Sequence, residues 1–137
     1  DPRALQLAVG AMQAVQLVGM PEARIPLGQA VCYLATAPKS NRSYLAINEA
    51  IQTVKRTGAL SVPPHLRNAH TELAKKLGDG HGYKYPHDHP GHIVDQEYLP
   101  VELQGTRFYD PADHGAEKII GERMAWVAEQ LKKRRQS

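Results

Sequence analysis

The chain has 137 residues, which is enough for one domain to bury a core without disulfides or a structural metal. Its only cysteine, Cys32, excludes an intrachain disulfide, and the apolar run from Ala30 to Leu34 predicts a buried thiol. The net charge of +3 permits an acidic partner without requiring one. No stretch is long and apolar enough to span a bilayer and no signal peptide is present, which together predict a cytoplasmic protein.

Two helices are predicted at the start of the chain. Asp1-Pro2 suits a helix start, and Gly19 ends a helix that runs to about Val18. Apolar residues at helical spacing form one face of it: Leu5, Ala8, Val9, Met12 and Val15. The second helix is predicted from Pro26 to Thr36. It is apolar on most sides, which predicts a central, buried helix.

Three further helices are predicted. The third begins at the cap Ser40, ends at Gly58 and has an apolar stripe of Tyr44, Ile47, Ile51 and Val54. The fourth covers residues 65–77, with inward residues Leu66, Ala69, Leu73 and Leu77. The last runs from Asp113 to about Arg134, with Ile120, Met124, Val127 and Leu131 inward.

Between the fourth and last helices, residues 79–111 are rich in Gly, Pro and aromatic residues and keep no helical period. The runs 98–100 and 106–109 are short enough to pair as two strands around Gln104-Gly105. A loop of this length in a small domain is usually functional or anchored by its own side chains, and the aromatic residues favour anchoring. We therefore predict one mostly α-helical domain over residues 1–137, with about five helices and one long ordered loop.

The loop contains the sequence GYKYPHDHPGH, residues 82–92, which raises the possibility of a metal site. His87, His89 and His92 could supply three ligands to a tetrahedral ion. However, the chain has no HExxH motif, and no cysteines accompany the histidines. Adventitious binding of nickel or zinc is therefore favoured over a structural or catalytic metal.

Signatures of catalysis and nucleotide binding are absent from the sequence. There is no GxxxxGK[ST] loop and no GxSxG elbow, and the glycines of residues 78–82 follow a helix instead of a strand. The carboxylates Glu97 and Glu102 show no pairing typical of acid–base chemistry. We predict no catalytic residue and no bound cofactor in this chain.

A binding role has more support in the sequence. Lys39 and Arg42 flank the start of the third helix, where the helix dipole favours anions. Arg67 and Lys84 add positive charge, and Tyr83 and Tyr85 are interleaved with it, a composition typical of nucleic-acid contacts. The alternative is that both tyrosines fill the core.

Two long runs resemble a known family. They are GMPEARIPLGQAVCYLATAPKSNRSYLAI, residues 19–47, and VPPHLRNAHTELAKKLGDGHGYKYPHDHPGHIVDQEYLP, residues 62–100. Together they resemble the C-terminal domain of the replication-associated recombination protein A family. These proteins are AAA+ ATPases related to Werner-helicase-interacting protein and, more distantly, to clamp loaders. Within the family pattern His87 matches, whereas His89 and His92 depart from it, which lowers the metal prediction further.

The resemblance implies a helical, collar-like domain that assembles subunits as tetramers. It also implies an ATPase core outside this chain that uses ATP and Mg²⁺, and a parent protein that acts at stalled replication forks in the nucleoid. DNA and single-strand-binding protein would be its partners, and the absence of an initiator Met agrees with a piece of a longer protein. Tyr83, Lys84, Tyr85 and His87 would fix the loop or line a subunit contact.

The sequence thus predicts an oligomerisation domain, with its apolar contact in residues 27–34 or around Trp126 of the last helix. Two alternatives remain. One is a DNA-binding module that contacts phosphates through Lys39, Arg42, Arg67 and Lys84. The other is a metalloenzyme with ligands at His87, His89 and His92.

Overall fold

The computed structural model describes residues 1–136, and all regular secondary structure in that range is helical. Its α-helices are α1 (Arg3–Val18), α2 (Arg24–Thr36), α3 (Arg42–Thr57), α4 (Glu72–Lys76) and α5 (Gly115–Gln136). Short 3-10 turns lie at Pro64–Leu66, Pro86–Asp88 and Val101–Leu103, and a tight turn with non-helical backbone angles at Gly91 covers Pro90–His92. The mostly α fold is confirmed. The strand pairing predicted for residues 98–109 is wrong, since Val101–Leu103 forms a helical turn within it.

The described chain divides into two compact units. The first contains residues 1–42 and 111–121, and therefore α1, α2 and the start of α5. The second contains residues 43–110 and the chain from residue 122 onward, and therefore most of α3, α4, the long loop and the rest of α5.

In the first unit, α1 packs against α2 through small residues. Ala11 on α1 and Ala30 on α2 are buried, as is Ala23 in the connection before α2. At the helix ends, the Tyr33 hydroxyl donates a hydrogen bond of 2.9 Å to the Asp1 carboxylate, and the Arg3 guanidinium lies 5.8 Å from the centre of the Tyr33 ring. The helices are thus joined by close backbone approach and one polar network.

Side-chain hydrogen bonds stabilise both ends of the turn between α2 and α3. The Lys39 ammonium donates hydrogen bonds to the carbonyl oxygens of Leu34 (2.5 Å) and Ala37 (2.7 Å), which satisfies groups left free where α2 ends. The backbone N–H of Arg42 donates to the Ser40 hydroxyl at 3.1 Å. This contact confirms Ser40 as the predicted cap of the third helix.

The second helix differs from its prediction in burial. Ile25 and Val31 are 68% and 65% exposed, and Cys32 is exposed as well. Only the side of α2 that includes Ala30 meets α1. The predictions of a central buried helix and of a buried thiol are therefore wrong.

The fourth helix is shorter than predicted. A 3-10 turn covers Pro64–Leu66, and α4 begins only after Thr71, whose hydroxyl accepts a hydrogen bond from the backbone N–H of Ala74. Arg67 lies between this turn and α4 and has an extended backbone. Its side chain donates a hydrogen bond to the Val62 carbonyl at 2.7 Å. A local cap and a side-chain contact five residues back along the chain therefore break the periodic pattern of residues 65–77.

The long loop is anchored to the end of α5. Arg134 donates hydrogen bonds to the carbonyl oxygens of Pro90, at 2.5 Å, and Ile93. Arg135 pairs with Asp95 at 2.7 Å, and the intervening Val94 is 5% exposed. The predicted anchoring of this loop is thus observed, although by arginines more than by aromatic residues. Within the described chain, no helix is long and apolar enough to cross a membrane.

Candidate functional site

The most unusual surface of the second unit is the apolar stripe of α3. Tyr44, Ile47, Ile51 and Val54 are between 44% and 64% exposed, whereas the polar residue Thr53 on another side of the helix is 2% exposed. The spacing of three, four and three residues is that of the seam of a two-stranded coiled coil. The apolar stripe predicted for this helix is therefore present, and α3 presents it outward.

The first unit has its own uncovered apolar surface. No charged residue lies between Arg3 and Glu22 or between Arg24 and Lys39, so α1 and α2 are uncharged over almost their whole length. Many of their large side chains are exposed: Leu5, Val9, Met12, Leu17, Val18, Ile25, Leu27, Val31 and Leu34. We call this set the α1–α2 face. Exposed large apolar side chains in this number on two uncharged helices are typical of a protein contact surface.

The four cations predicted to contact DNA are divided between the two units. Lys39 and Arg42 lie in the first unit and line an open cleft of about 960 Å³, together with Asp113 and His114. Arg67 and Lys84 lie in the second. Each unit thus contains two of the four cations.

Three of these cations donate hydrogen bonds within the chain. Lys39 caps α2, and the Lys84 ammonium donates to the carbonyl of Asp95 at 3.0 Å. Arg67 donates to the Val62 carbonyl and pairs with Asp79 at 3.3 Å. These contacts give each side chain a structural role, and DNA contact through them stays a prediction.

The predicted aromatic residues of the loop form a short row of rings. Tyr85 and His87 have ring centroids 5.1 Å apart, and His87 and His92 have centroids 4.9 Å apart. Tyr83 and Tyr85 are both half-exposed. Among the described residues, no three His, Cys, Asp or Glu side chains come together as metal ligands, so the three-histidine arrangement is not formed. Of the three histidines that the sequence grouped together, the structure places the rings of His87 and His92 next to each other.

The 960 Å³ cleft has a titratable contact at its wall. The Nε2 atom of His114 lies 2.9 Å from the carbonyl oxygen of Lys39, and its Nδ1 atom lies 3.4 Å from the Asp113 carboxylate. The hydrogen bond to Lys39 raises the pKa of His114 above its usual value, and that to Asp113 adds to the effect. Glu117 is close by, since its carboxylate accepts hydrogen bonds from the Ser40 hydroxyl at 2.7 Å and from the Ala112 N–H at 2.8 Å.

In the second unit the Arg135 guanidinium lies against Asp95. Its hydrogen bond lowers the pKa of the Asp95 carboxyl, and partial burial opposes that shift. The same contact raises the pKa of Arg135. This ion pair therefore fixes the charge of both groups at neutral pH and ties the loop to α5.

Comparison with known proteins defines the class. The profile of MgsA AAA+ ATPase C-terminal domains matches residues 1–128. This chain belongs to that family. The helical fold of the structure agrees with this assignment.

Named relatives are similar over nearly the whole chain. Replication-associated recombination protein A of Escherichia coli K12 is 43% identical over 131 residues, which is 95% of this chain and 29% of that protein. The Coxiella burnetii protein of the same name is 46% identical over 127 residues, 92% of this chain and 29% of its own length. ATPase WRNIP1 of Dictyostelium discoideum is 38% identical over 111 residues, 80% of this chain and 13% of its length. The chain thus spans less than a third of these relatives, and the resemblance found in the sequence is confirmed.

Proposed function

We propose that this chain is the self-association domain of an AAA+ ATPase that acts in DNA replication and recombination, and that it assembles as a tetramer. The supporting observation is the outward apolar stripe of α3. A helix that buries Thr53 and exposes Tyr44, Ile47, Ile51 and Val54 has its apolar side available to a partner helix. A second copy supplies the same stripe, because a two-fold contact is self-complementary.

The number of subunits follows from the number of apolar faces. A tetramer with three mutually perpendicular two-fold axes needs two different self-complementary contacts. The chain offers one candidate in each unit, the α3 stripe in the second and the α1–α2 face in the first. These two faces favour a tetramer built as a dimer of dimers.

A comparison of the free energy of apolar burial with the cost of association also favours a tetramer that uses both faces. Removing a half-exposed apolar side chain from water contributes roughly 1 kcal/mol, so eight such side chains from two α3 stripes contribute about 8 kcal/mol. Association costs roughly 4–15 kcal/mol in lost freedom of motion. A contact through α3 alone is therefore weak, and the larger α1–α2 face supplies the rest.

The mechanism in the parent protein is geometric. Joining several ATPase modules raises the effective concentration of each DNA contact, so that weak contacts act together. In this proposal ATP and Mg²⁺ are used by the ATPase part of the parent protein, and this chain has no catalytic residue. DNA, single-strand-binding protein and further copies of the chain are the proposed partners, at stalled forks in the cytoplasmic nucleoid.

The experiment is mass measurement by light scattering and sedimentation velocity over a wide range of protein concentration. The protein should be a tetramer without ATP or DNA. Ile51→Glu in the α3 stripe and Val31→Glu in the α1–α2 face should each give a dimer, and the double variant a monomer. Val101→Glu is the matched control, because Val101 is 75% exposed and lies outside both faces.

A monomer at all concentrations would overturn the proposal. An unchanged tetramer in the double variant would place the contact elsewhere and contradict both assigned faces. Circular dichroism of each variant separates loss of assembly from loss of folding, since the glutamates replace exposed side chains and should leave the helix content unchanged.

A further inference from the structure

The row of rings in the loop places two imidazoles beside each other at the surface. His87 and His92 have ring centroids 4.9 Å apart with an angle of 52° between the ring planes, and both residues are exposed. They belong to two successive turns, the 3-10 turn Pro86–Asp88 and the non-helical turn Pro90–His92, each of which begins with a proline. The proline rings restrict the backbone of both turns and so the directions of the two histidines.

The backbone at His92 is unusual. His92 has a φ of 54°, the only positive φ of a non-glycine residue in the described chain, and follows Gly91 at 66°. This region is uncommon for residues with a Cβ and persists where the surrounding structure enforces it. Here Arg134 fixes the turn by donating to the carbonyls of Pro90 and Ile93 on either side. The fold thus holds the His92 ring next to that of His87.

We propose that His87 and His92 form a two-histidine site for a divalent transition-metal ion of the borderline class, with Zn²⁺ as its probe. Imidazole nitrogen is a preferred ligand of such ions. Two imidazoles that share one tetrahedral zinc have ring centroids about 5 Å apart, because each nitrogen lies about 2 Å from the metal. The observed separation already matches this value, and rotation about the Cβ–Cγ bonds can turn one nitrogen of each ring towards a common point.

The site is open. No third His, Cys, Asp or Glu of the described chain joins the pair, so water would occupy the remaining positions. Of the two arginines that anchor this loop, Arg135 is paired with the Asp95 carboxylate, and Arg134 donates to the carbonyl oxygens of Pro90 and Ile93. Binding would connect the two turns and so stiffen the loop.

The test is titration of ZnCl₂ into the untagged protein, followed by calorimetry and by NMR of the imidazole C–H groups. One equivalent of zinc should bind and shift the signals of His87 and His92. His87→Asn and His92→Asn should each weaken binding at least about tenfold. Asn is chosen at position 92 because it tolerates positive φ, so the turn is kept. His89→Asn is the matched control and should bind zinc as the parent does.

Equal binding by the parent and both Asn variants would overturn the proposal. So would a loss of similar size in His89→Asn, or zinc-induced shifts confined to other histidines. Amide spectra report whether His92→Asn disturbs the loop. If they change, the His87→Asn titration together with the imidazole shifts of the parent decides the outcome.

Discussion

Gly115 approaches Pro38 so closely that a Cβ atom placed on Gly115 would lie 2.8 Å from the Pro38 Cβ. Real side chains do not tolerate that separation, and the φ of Gly115 is +57°, which residues with a Cβ rarely adopt. The close approach allows two contacts in the first unit, His114 to the Lys39 carbonyl and Ser40 to Glu117. The glycine at the start of α5 thus allows the polar residues that line the cleft to approach each other.

Gly115→Ala should therefore destabilise the protein by about 2 kcal/mol or more, from backbone strain and the clash with Pro38. Gly10→Ala is the matched control, and it should change the free energy of unfolding in the opposite direction. Gly10 lies inside α1 with no atom within 4 Å of an added Cβ, so alanine should stabilise the helix by about 0.5–1 kcal/mol. Urea unfolding measures both, and equal effects of the two substitutions would contradict the assigned role of Gly115.

The raised pKa of His114 predicts a pH-dependent stability. Its protonated ring is stabilised by the Lys39 carbonyl first and then by Asp113, so the folded pKa lies above the unfolded pKa. The contribution is therefore fully present below the unfolded pKa and is lost as pH rises through the folded pKa. His114→Gln keeps a donor without titrating. The difference in Tm between parent and variant should shrink from about pH 5 to about pH 8.

The contribution of Asp95 has the opposite dependence on pH. Its pKa is lowered, chiefly by the hydrogen bond from Arg135, so the stabilisation is present above the unfolded pKa and is lost as pH falls through the folded pKa. A double-mutant cycle with Asp95→Asn and Arg135→Gln should show favourable coupling near pH 7 and none in strong acid. Coupling that persists at low pH would exclude the ion pair as its source.

The alternative of a DNA-binding module can be tested at Arg67. Because its guanidinium donates to the Val62 carbonyl and to Asp79, Arg67→Ala should lower the free energy of unfolding by about 1–2 kcal/mol. We expect the affinity for single-stranded DNA to stay unchanged, as in the surface control Lys76→Ala. Fluorescence anisotropy at several salt concentrations measures it. If the affinity is weaker and the slope of log affinity against log salt concentration is smaller by about one, Arg67 would instead be assigned a phosphate contact.

Local chemistry in the sequence was a good guide to where helices begin and end. Ser40 caps α3 and Gly19 follows the end of α1, because capping depends on residues only a few positions apart. The break inside residues 65–77 was missed. It depends on Arg67 reaching the Val62 carbonyl and Asp79, and the second of these contacts is tertiary.

Burial was harder to predict than helix position. Periodicity correctly grouped Tyr44, Ile47, Ile51 and Val54 on one side of α3, but it does not show what that side meets. The same limit applies to Cys32, which lies in an apolar run and is exposed. The sequence grouped His87 with His89 and His92, but which of these rings meet depends on backbone angles in two tight turns.

The anchoring of the loop by Arg134 and Arg135 also has a consequence for the order of folding. The hydrogen bonds join residues about forty positions apart, so closing that segment has an entropic cost that local turns do not have. The loop can adopt its final conformation only after the last turn of α5 has formed. Shortening the chain by one helical turn there would therefore release residues 90–95 from a distance, although none of them is removed.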